Sequence, residues 1–240
     1  MLHFTLFGHF LATLDGEPLS FPAALVAYLL LERDAPQPRE YISTLLWPDS
    51  TEESGRRNLR QVLLRLRRTL PDSPDGQPPI LADNKTLQWN PAYPVQMDVY
   101  RFSAEMAQAE PFLHTPLDQT PYPAIAPLQA AASLYTADLL LGFDLLSDFY
   151  AAWLLPWRTR YRRQALAALA RLAECYARAG QPRRMEAMAR RQLALDPERE
   201  IAHRQLMQAY LAQGESVDHR FDFWWVHQGY GGVNGFDSPR

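Results

Sequence analysis

The sequence predicts a mainly α-helical protein with a small β part, in which an N-terminal winged helix-turn-helix is followed by a tetratricopeptide-like α-helical domain. Three observations carry that prediction. The first 94 residues run through short strands, three helices and a closing hairpin. Residues 55–70, "GRRNLRQVLLRLRRTL", thread six arginines through six branched apolar residues at helical spacing. Further on, "ECYARAGQP" (174–182) and "QAYLAQGES" (208–216) repeat at an interval of 34 residues.

The N-terminal elements follow from local pattern. "LHFTLFG" alternates apolar and polar residues, "HFLATL" follows, and Asp15-Gly16 in "LDGEPLSF" is a hairpin turn before a third short strand. Pro22 suits the first turn of a helix over about 22–33, which "DAPQP" ends. A second helix covers 39–46 and is closed by Pro48. Ser50 or Thr51 caps a third helix over 52–70, with Glu52 and Glu53 favourable in its first turn. The proline-rich 71–79 is loop, and "ILADNKTLQW" (80–89) reads as two strands around an Asp-Asn-Lys turn, a wing with Lys85 near its tip.

From Val95 the composition changes. "VQMDVYRFSAEMAQA" opens a helix, and Pro111, Pro116, Pro121, Pro123 and Pro127 mark a loop. Beyond it the chain reads as alanine- and leucine-rich helix up to Gly214. In the 34-residue repeat Leu172 matches Leu206, Tyr176 matches Tyr210 and Gly180 matches Gly214, the pattern of tetratricopeptide helix pairs, although a generic alanine-rich bundle gives the same composition. The expected division is therefore 1–94, 95–215 and an atypical tail over 216–240.

Composition narrows the function classes. With 240 residues and 47% hydrophobic content, the chain can pack two ordinary domains. Its single cysteine, Cys175, excludes an intramolecular disulfide framework and suits a reducing cytosol. The longest apolar run, "AALVAYLLL", has nine residues against the roughly 20 needed to span a bilayer, so no membrane segment and a cytoplasmic location are expected. No Ser/His/Asp, HExxH or glycine-rich nucleotide motif is present, so the protein is not expected to be an enzyme or to carry a cofactor.

The arginine helix is the candidate functional element. On a wheel of 100° per residue, Leu59, Val62, Leu63, Leu66 and Leu70 form one stripe, which Gly55 continues where the chain passes close to another backbone. Ser54, Arg57, Gln61 and Arg68 lie opposite, flanked by Asn58, Arg60 and Arg65. Arginine reads guanine O6 and N7, and glutamine or asparagine reads adenine N6 and N7. A merely solvated helix intersperses glutamates for i, i+4 pairing, and here none follows Glu53. Residues 1–95 nevertheless hold 9 basic and 11 acidic groups, so positive potential is local to this helix and Lys85.

At this point a family resemblance can be stated. "YISTLLWPDSTEESGRRNLRQVLLRLRRTL", then "LYTADLLLGF", "AAWLLPWRTRYR" and "LALDPEREIAHRQLMQAYLAQG", resembles the SARP/AfsR-type transcriptional regulators, which join an OmpR/PhoB-type winged helix to a bacterial transcriptional activator domain. The match spans about residues 1–215. It implies sequence-specific binding of double-stranded promoter DNA at direct repeats, and recruitment of RNA polymerase. Self-association or polymerase contact falls to the helical domain. Arg57, Asn58, Gln61, Arg65 and Arg68 lie in the segment that looks like the recognition helix. Unlike relatives, the first helix carries no basic residue in "SFPAALVAYLLL". No receiver domain fits before residue 2, so direct phosphorylation control is not expected, and the tail stands where a further helix pair would be. The competing reading is a protein-interaction scaffold whose winged helix no longer binds DNA.

Other clusters are weighed against structural roles. "WRTRYRRQ" (157–164) is the polar side of an amphipathic helix with its seam at Leu154, Trp157, Tyr161 and Ala165. Asp138, Asp144 and Asp148, near aromatic residues, are a candidate partner surface. Asp218, His219, Asp222 and His227 match no zinc spacing, and Phe221, Phe223 and Trp225 are candidates to cap the helical stack. Cys175 is expected to be buried and inert.

Overall fold

The structure, a computed structural model, describes residues 1–214. The tail residues named above lie outside it. Two compact units divide the chain: Met1–His114 with Pro121–Ala168, and Thr115–Thr120 with the described residues from Leu169 onward.

In the first unit, β1 (Leu2–Thr5), β2 (Leu11–Leu14) and β3 (Glu17–Pro18) form the antiparallel strands expected, with Asp15 and Gly16 both at positive φ in the turn between β2 and β3. Leu2 and Phe4 point into the core while His3 and Thr5 face out, as the alternation requires. Helix α1 (Ala23–Leu31) is shorter than expected at both ends, with Pro22 at its N-cap and Glu32 already leaving the helix as its C-cap. Every residue from Leu25 to Leu31 is buried, the signature of a helix that is apolar on all sides. Between α1 and α2 (Arg39–Leu46), Gln37–Pro38 forms a two-residue strand, β4, which the sequence pattern did not reveal. Helix α3 (Glu52–Thr69) follows, and then the hairpin of β5 (Ile80–Ala82) and β6 (Thr86–Trp89). A three-stranded sheet results, ordered β4-β6-β5.

The reading of 95–109 as one helix needs correction. Val95–Met97 is a strand, β7, paired parallel with β1 in a sheet ordered β3-β2-β1-β7, and α4 begins at Asp98 and ends at Ala109. Three residues are too few to display a period, and the pairing partner lies more than 90 positions away. The Asp98 carboxylate stitches this junction by accepting from the backbone N–H groups of Leu6, Phe7 and Val99 at 2.8–2.9 Å. Burial pushes its carboxyl above the usual range, against the three N–H groups that favour the ionised form.

The proline-marked loop also needs one correction. Short 3-10 turns at 110–112, 117–119 and 122–124 occupy most of it, but Pro127 sits in the first turn of α5 (Ile125–Leu134), where its missing N–H costs nothing. Residues 135–147 hold no α-helix, only a short 3-10 turn at Phe143–Leu145. Their carbonyls and carboxylates are gripped by the long helix α6 (Asp148–Arg178). Arg158 donates to the Leu139 and Leu140 carbonyls at 2.8 and 2.6 Å and to Asp144 at 3.1 Å. Arg162 pairs with Asp138, which also accepts the Tyr135 hydroxyl at 2.7 Å. Burial opposes the Asp138 charge, but Arg162 and Tyr135 outweigh it and hold its carboxyl below the ordinary range. The basic run is thus structural, as expected. Asp138 and Asp144 are neutralised from within, which removes them as a partner surface. Leu154, Tyr161 and Ala165 are buried along the expected seam.

In the second unit, the end of α6 packs with α7 (Pro182–Leu195) and α8 (Glu200–Gln213) around Ala173, Met185 and Ala209. The repeat is visible in three dimensions. Gly180 and Gly214 both close helices at positive φ, where a side chain would be strained, and Leu172 and Leu206 are both buried. Tyr176 and Tyr210 each carry a guanidinium over the ring, from Arg184 at 5.6 Å and Arg190 at 5.9 Å. Cys175 is buried and free, as expected. A strap, Thr115–Thr120, is held by Arg171 on the Thr115 carbonyl (2.9 Å) and Arg178 on the Thr120 carbonyl (2.7 Å).

A buried amide pair fixes the register of the three helices. Gln192 donates to Gln205 at 2.8 Å, and Gln205 donates to the Ala170 carbonyl at 3.0 Å and to Glu174 at 2.8 Å. Gln205→Ala would take from the buried Gln192 amide and from Glu174 their shared partner, and should lower stability by roughly 1–3 kcal/mol in urea unfolding.

Candidate nucleic-acid interface

Helices α2 and α3 pack through one close contact. A Cβ placed on Gly55 would sit 3.3 Å from the Ser43 Cβ, so glycine is the residue that lets α3 lie this close on α2. Trp47 ends α2 with φ -139° and ψ 66°, outside the helical region that the following Pro48 disfavours. Thr51 then caps α3, its Oγ1 accepting the Ser54 N–H at 3.3 Å. Glu52 and Glu53 stand at the positive end of the α3 dipole and Arg67 and Arg68 at the negative end.

The stripe expected to anchor α3 is buried at Gly55, Leu59, Leu63, Leu66 and Leu70, with Val62 half-buried. Of the predicted site residues, Arg57, Arg60, Gln61, Arg65 and Arg68 are exposed along the helix, and Ser54 and Asn58 are half-buried. The Ser54 hydroxyl accepts from Thr51 Oγ1 at 3.0 Å within the cap. Among the described residues Arg60, Arg65, Arg67 and Arg68 form no ion pair, whereas Arg57 lies 3.6 Å from Glu53, an exposed i, i+4 pair of small energy. Arg56 is the arginine that the protein neutralises. It bonds Glu40 at 3.1 Å and pairs with Glu52.

The eighth predicted residue, Lys85, is exposed at the wing tip. Asp83 shapes that tip by accepting the N–H groups of Lys85 and Thr86, each at 2.7 Å, and the Thr86 hydroxyl at 2.8 Å. Those hydrogen bonds, led by the one from Lys85, hold its carboxyl below the usual carboxylate range. The wing is tied to the helix-turn-helix by backbone: Gln37 and Pro38 pair with Leu87 and Thr86, and the Arg39 N–H donates to the Lys85 carbonyl at 2.9 Å.

Sequence reasoning missed two groups. Leu64, on the same exposed side as Gln61 and Arg68, is 49% exposed, and an apolar side chain there suits a thymine methyl. The signal was present, since Leu64 falls off the buried stripe. Arg39 comes to line one cleft with Arg60 and Lys85 only through the β4–β6 pairing, and no local pattern announces that.

Comparison with known proteins adds the following. The family model described as the bacterial transcriptional activator domain matches residues 97–218, just over half of the chain. A solved structure of Mycobacterium tuberculosis EmbR, in complex with a low-affinity phosphopeptide, is similar with a TM-score of 0.58 and 22% identity. The similarity covers 98% of this chain and 62% of that one. At that identity it speaks to the fold, a winged helix followed by an α-helical domain, and this chain spans less than two thirds of the EmbR chain. No curated protein matches in sequence. Among the described residues no helix is long and apolar enough to cross a membrane.

The wing tip offers a direct test. Because the folded Asp83 carboxyl titrates below its ordinary value, its stabilising effect is present above that value and is lost as pH falls through the lowered one. The protection factors of the Lys85 and Thr86 amides should therefore persist as pH falls to the ordinary aspartate value and drop only below it, through the lowered one, and Asp83→Ala should abolish the protection at every pH.

Proposed function

Since the chain belongs to the bacterial transcriptional activator domain family, as the resemblance to SARP/AfsR-type regulators implies, we propose that it is a sequence-specific DNA-binding activator. Residues 1–94 are the DNA-binding module and 95–215 the activator domain. Helix α3 enters the major groove, where Arg57, Asn58, Gln61, Arg65 and Arg68 meet base edges or flanking phosphates and Leu64 meets a thymine methyl. The 80–89 wing lies along the adjacent backbone with Lys85 at the phosphates. The helical domain contacts RNA polymerase or a second copy of the chain, and direct repeats in the promoter place two copies side by side.

The observation that carries this reading is the open cationic face of α3. Four of its arginines have no carboxylate partner among the described residues, while the leucines opposite them are buried. Exposed like charges at i, i+3 and i, i+4 spacing repel one another, and an arriving polyanion relieves the repulsion. The protein as a whole is mildly acidic, with a net charge of -3, so this face is a local feature rather than the overflow of a basic chain.

Selection from a random duplex library should enrich one sequence. Gln61→Ala should then cost roughly 1–3 kcal/mol on that duplex and relax preference at one base position. A protein-interaction scaffold would enrich no sequence, and Gln61→Ala would leave duplex binding unchanged.

A further inference from the structure

We infer that the cleft bounded by the start of α2, the middle of α3 and the wing tip is a seat for one phosphate group, gripped by Arg39, Arg60 and Lys85. The seat rests on the DNA-binding reading for its source, a backbone phosphodiester of the bound duplex. It names a contact beyond the base-reading face, made by a residue outside the recognition helix and the wing.

Four basic residues from three separate elements line this cleft of about 710 Å³: Arg39 from α2, Arg56 and Arg60 from α3, and Lys85 from the wing tip. The carboxylate lining it, Glu40, is already bonded to Arg56, so Arg39, Arg60 and Lys85 remain without an ion-pair partner among the described residues. Among the described residues the Arg39 guanidinium donates no hydrogen bond, and its Nε is buried without a partner there. Asp83 is the acidic group whose field reaches Arg39, and its oxygens are occupied by Lys85 and Thr86. Burial holds the Arg39 pKa below its ordinary value, and Arg67 and Arg60 push in the same direction against Asp83. A guanidinium that is partly desolvated, lacks hydrogen bonds and faces like charges is completed by an oxyanion. Cations contributed to one cleft by α2, α3 and the wing tip suit the tetrahedral phosphate group better than a flat carboxylate, and the arginine fork can take two of its oxygens. Because the Arg39 N–H also holds the Lys85 carbonyl, a phosphate gripped here would lock the wing to the helix-turn-helix and set the register of α3 in its groove.

The test uses the full chain and the duplex selected above, with single phosphates replaced in turn by neutral methylphosphonates. Arg39→Gln should weaken binding roughly tenfold at every sequence and lower the salt slope by about 0.9, leaving base preference untouched. Arg39→Lys should keep the slope. At one methylphosphonate position Arg39→Gln should have no further effect. An unchanged slope in Arg39→Gln, with Gln61→Ala still relaxing one base position, overturns the seat and leaves the DNA reading standing. If no duplex is enriched, the DNA reading fails and inorganic phosphate at constant ionic strength becomes the probe. A rise in melting temperature that Arg39→Gln abolishes then supports a free-phosphate site, and equal rises in both proteins overturn it.

Discussion

A helix bound to a core by one stripe has a single rotational setting, and in this protein that setting is fixed where Gly55 meets Ser43. The close approach seats the first turns of α3 on α2, and the burial of Leu59, Leu63, Leu66 and Leu70 carries the same stripe down its length. Each of these side chains is worth on the order of 1.5–3 kcal/mol when removed from water. A rotation that hid the arginines would expose all four leucines at once. The outward direction of Arg57, Arg60, Arg65 and Arg68 therefore follows from the apolar side of the helix and not from any interaction of the arginines themselves.

The protein treats its arginines in two ways. In α6, Arg158 and Arg162 are consumed in holding residues 138–144, and in the second unit Arg171 and Arg178 hold the 115–120 strap. These groups donate to carbonyls or carboxylates of their own chain and are spent on structure. Along α3, among the described residues, Arg56 is held by Glu40 and Glu52 and Arg57 makes a looser exposed pair with Glu53, while Arg60, Arg65, Arg67 and Arg68 have no carboxylate partner. The contrast between satisfied and unsatisfied guanidinium groups, rather than net charge, sets α3 apart from α6 and is what supports the proposed nucleic-acid face. The wing belongs to the same face because backbone pairing with β4 ties it to the start of α2.

The second unit has a different kind of order. Its helices pack through small and apolar side chains, which alone would tolerate sliding by a turn. The Gln192–Gln205 pair, anchored on the Ala170 carbonyl and Glu174, allows one register only. A buried polar network supplies definition that alanine contacts lack.

The sequence by itself determined whatever depends on neighbours within about one helical turn or one hairpin. Helix α3 with its Thr51 cap, the 80–89 wing, the seam of α6 and the repeated Leu-Tyr-Gly pattern were all legible, because amphipathic period, capping and turn chemistry are local. Most of the candidate face was legible for the same reason. Only the tertiary structure decided that 95–97 is a strand beside β1, that β4 exists, that Asp138 and Asp144 belong to Arg162 and Arg158, and that Arg39 stands beside Lys85. Each of those depends on a partner far away in the chain. A two- or three-residue strand carries no period, and a charged side chain does not disclose in sequence which opposite charge the fold will bring to it.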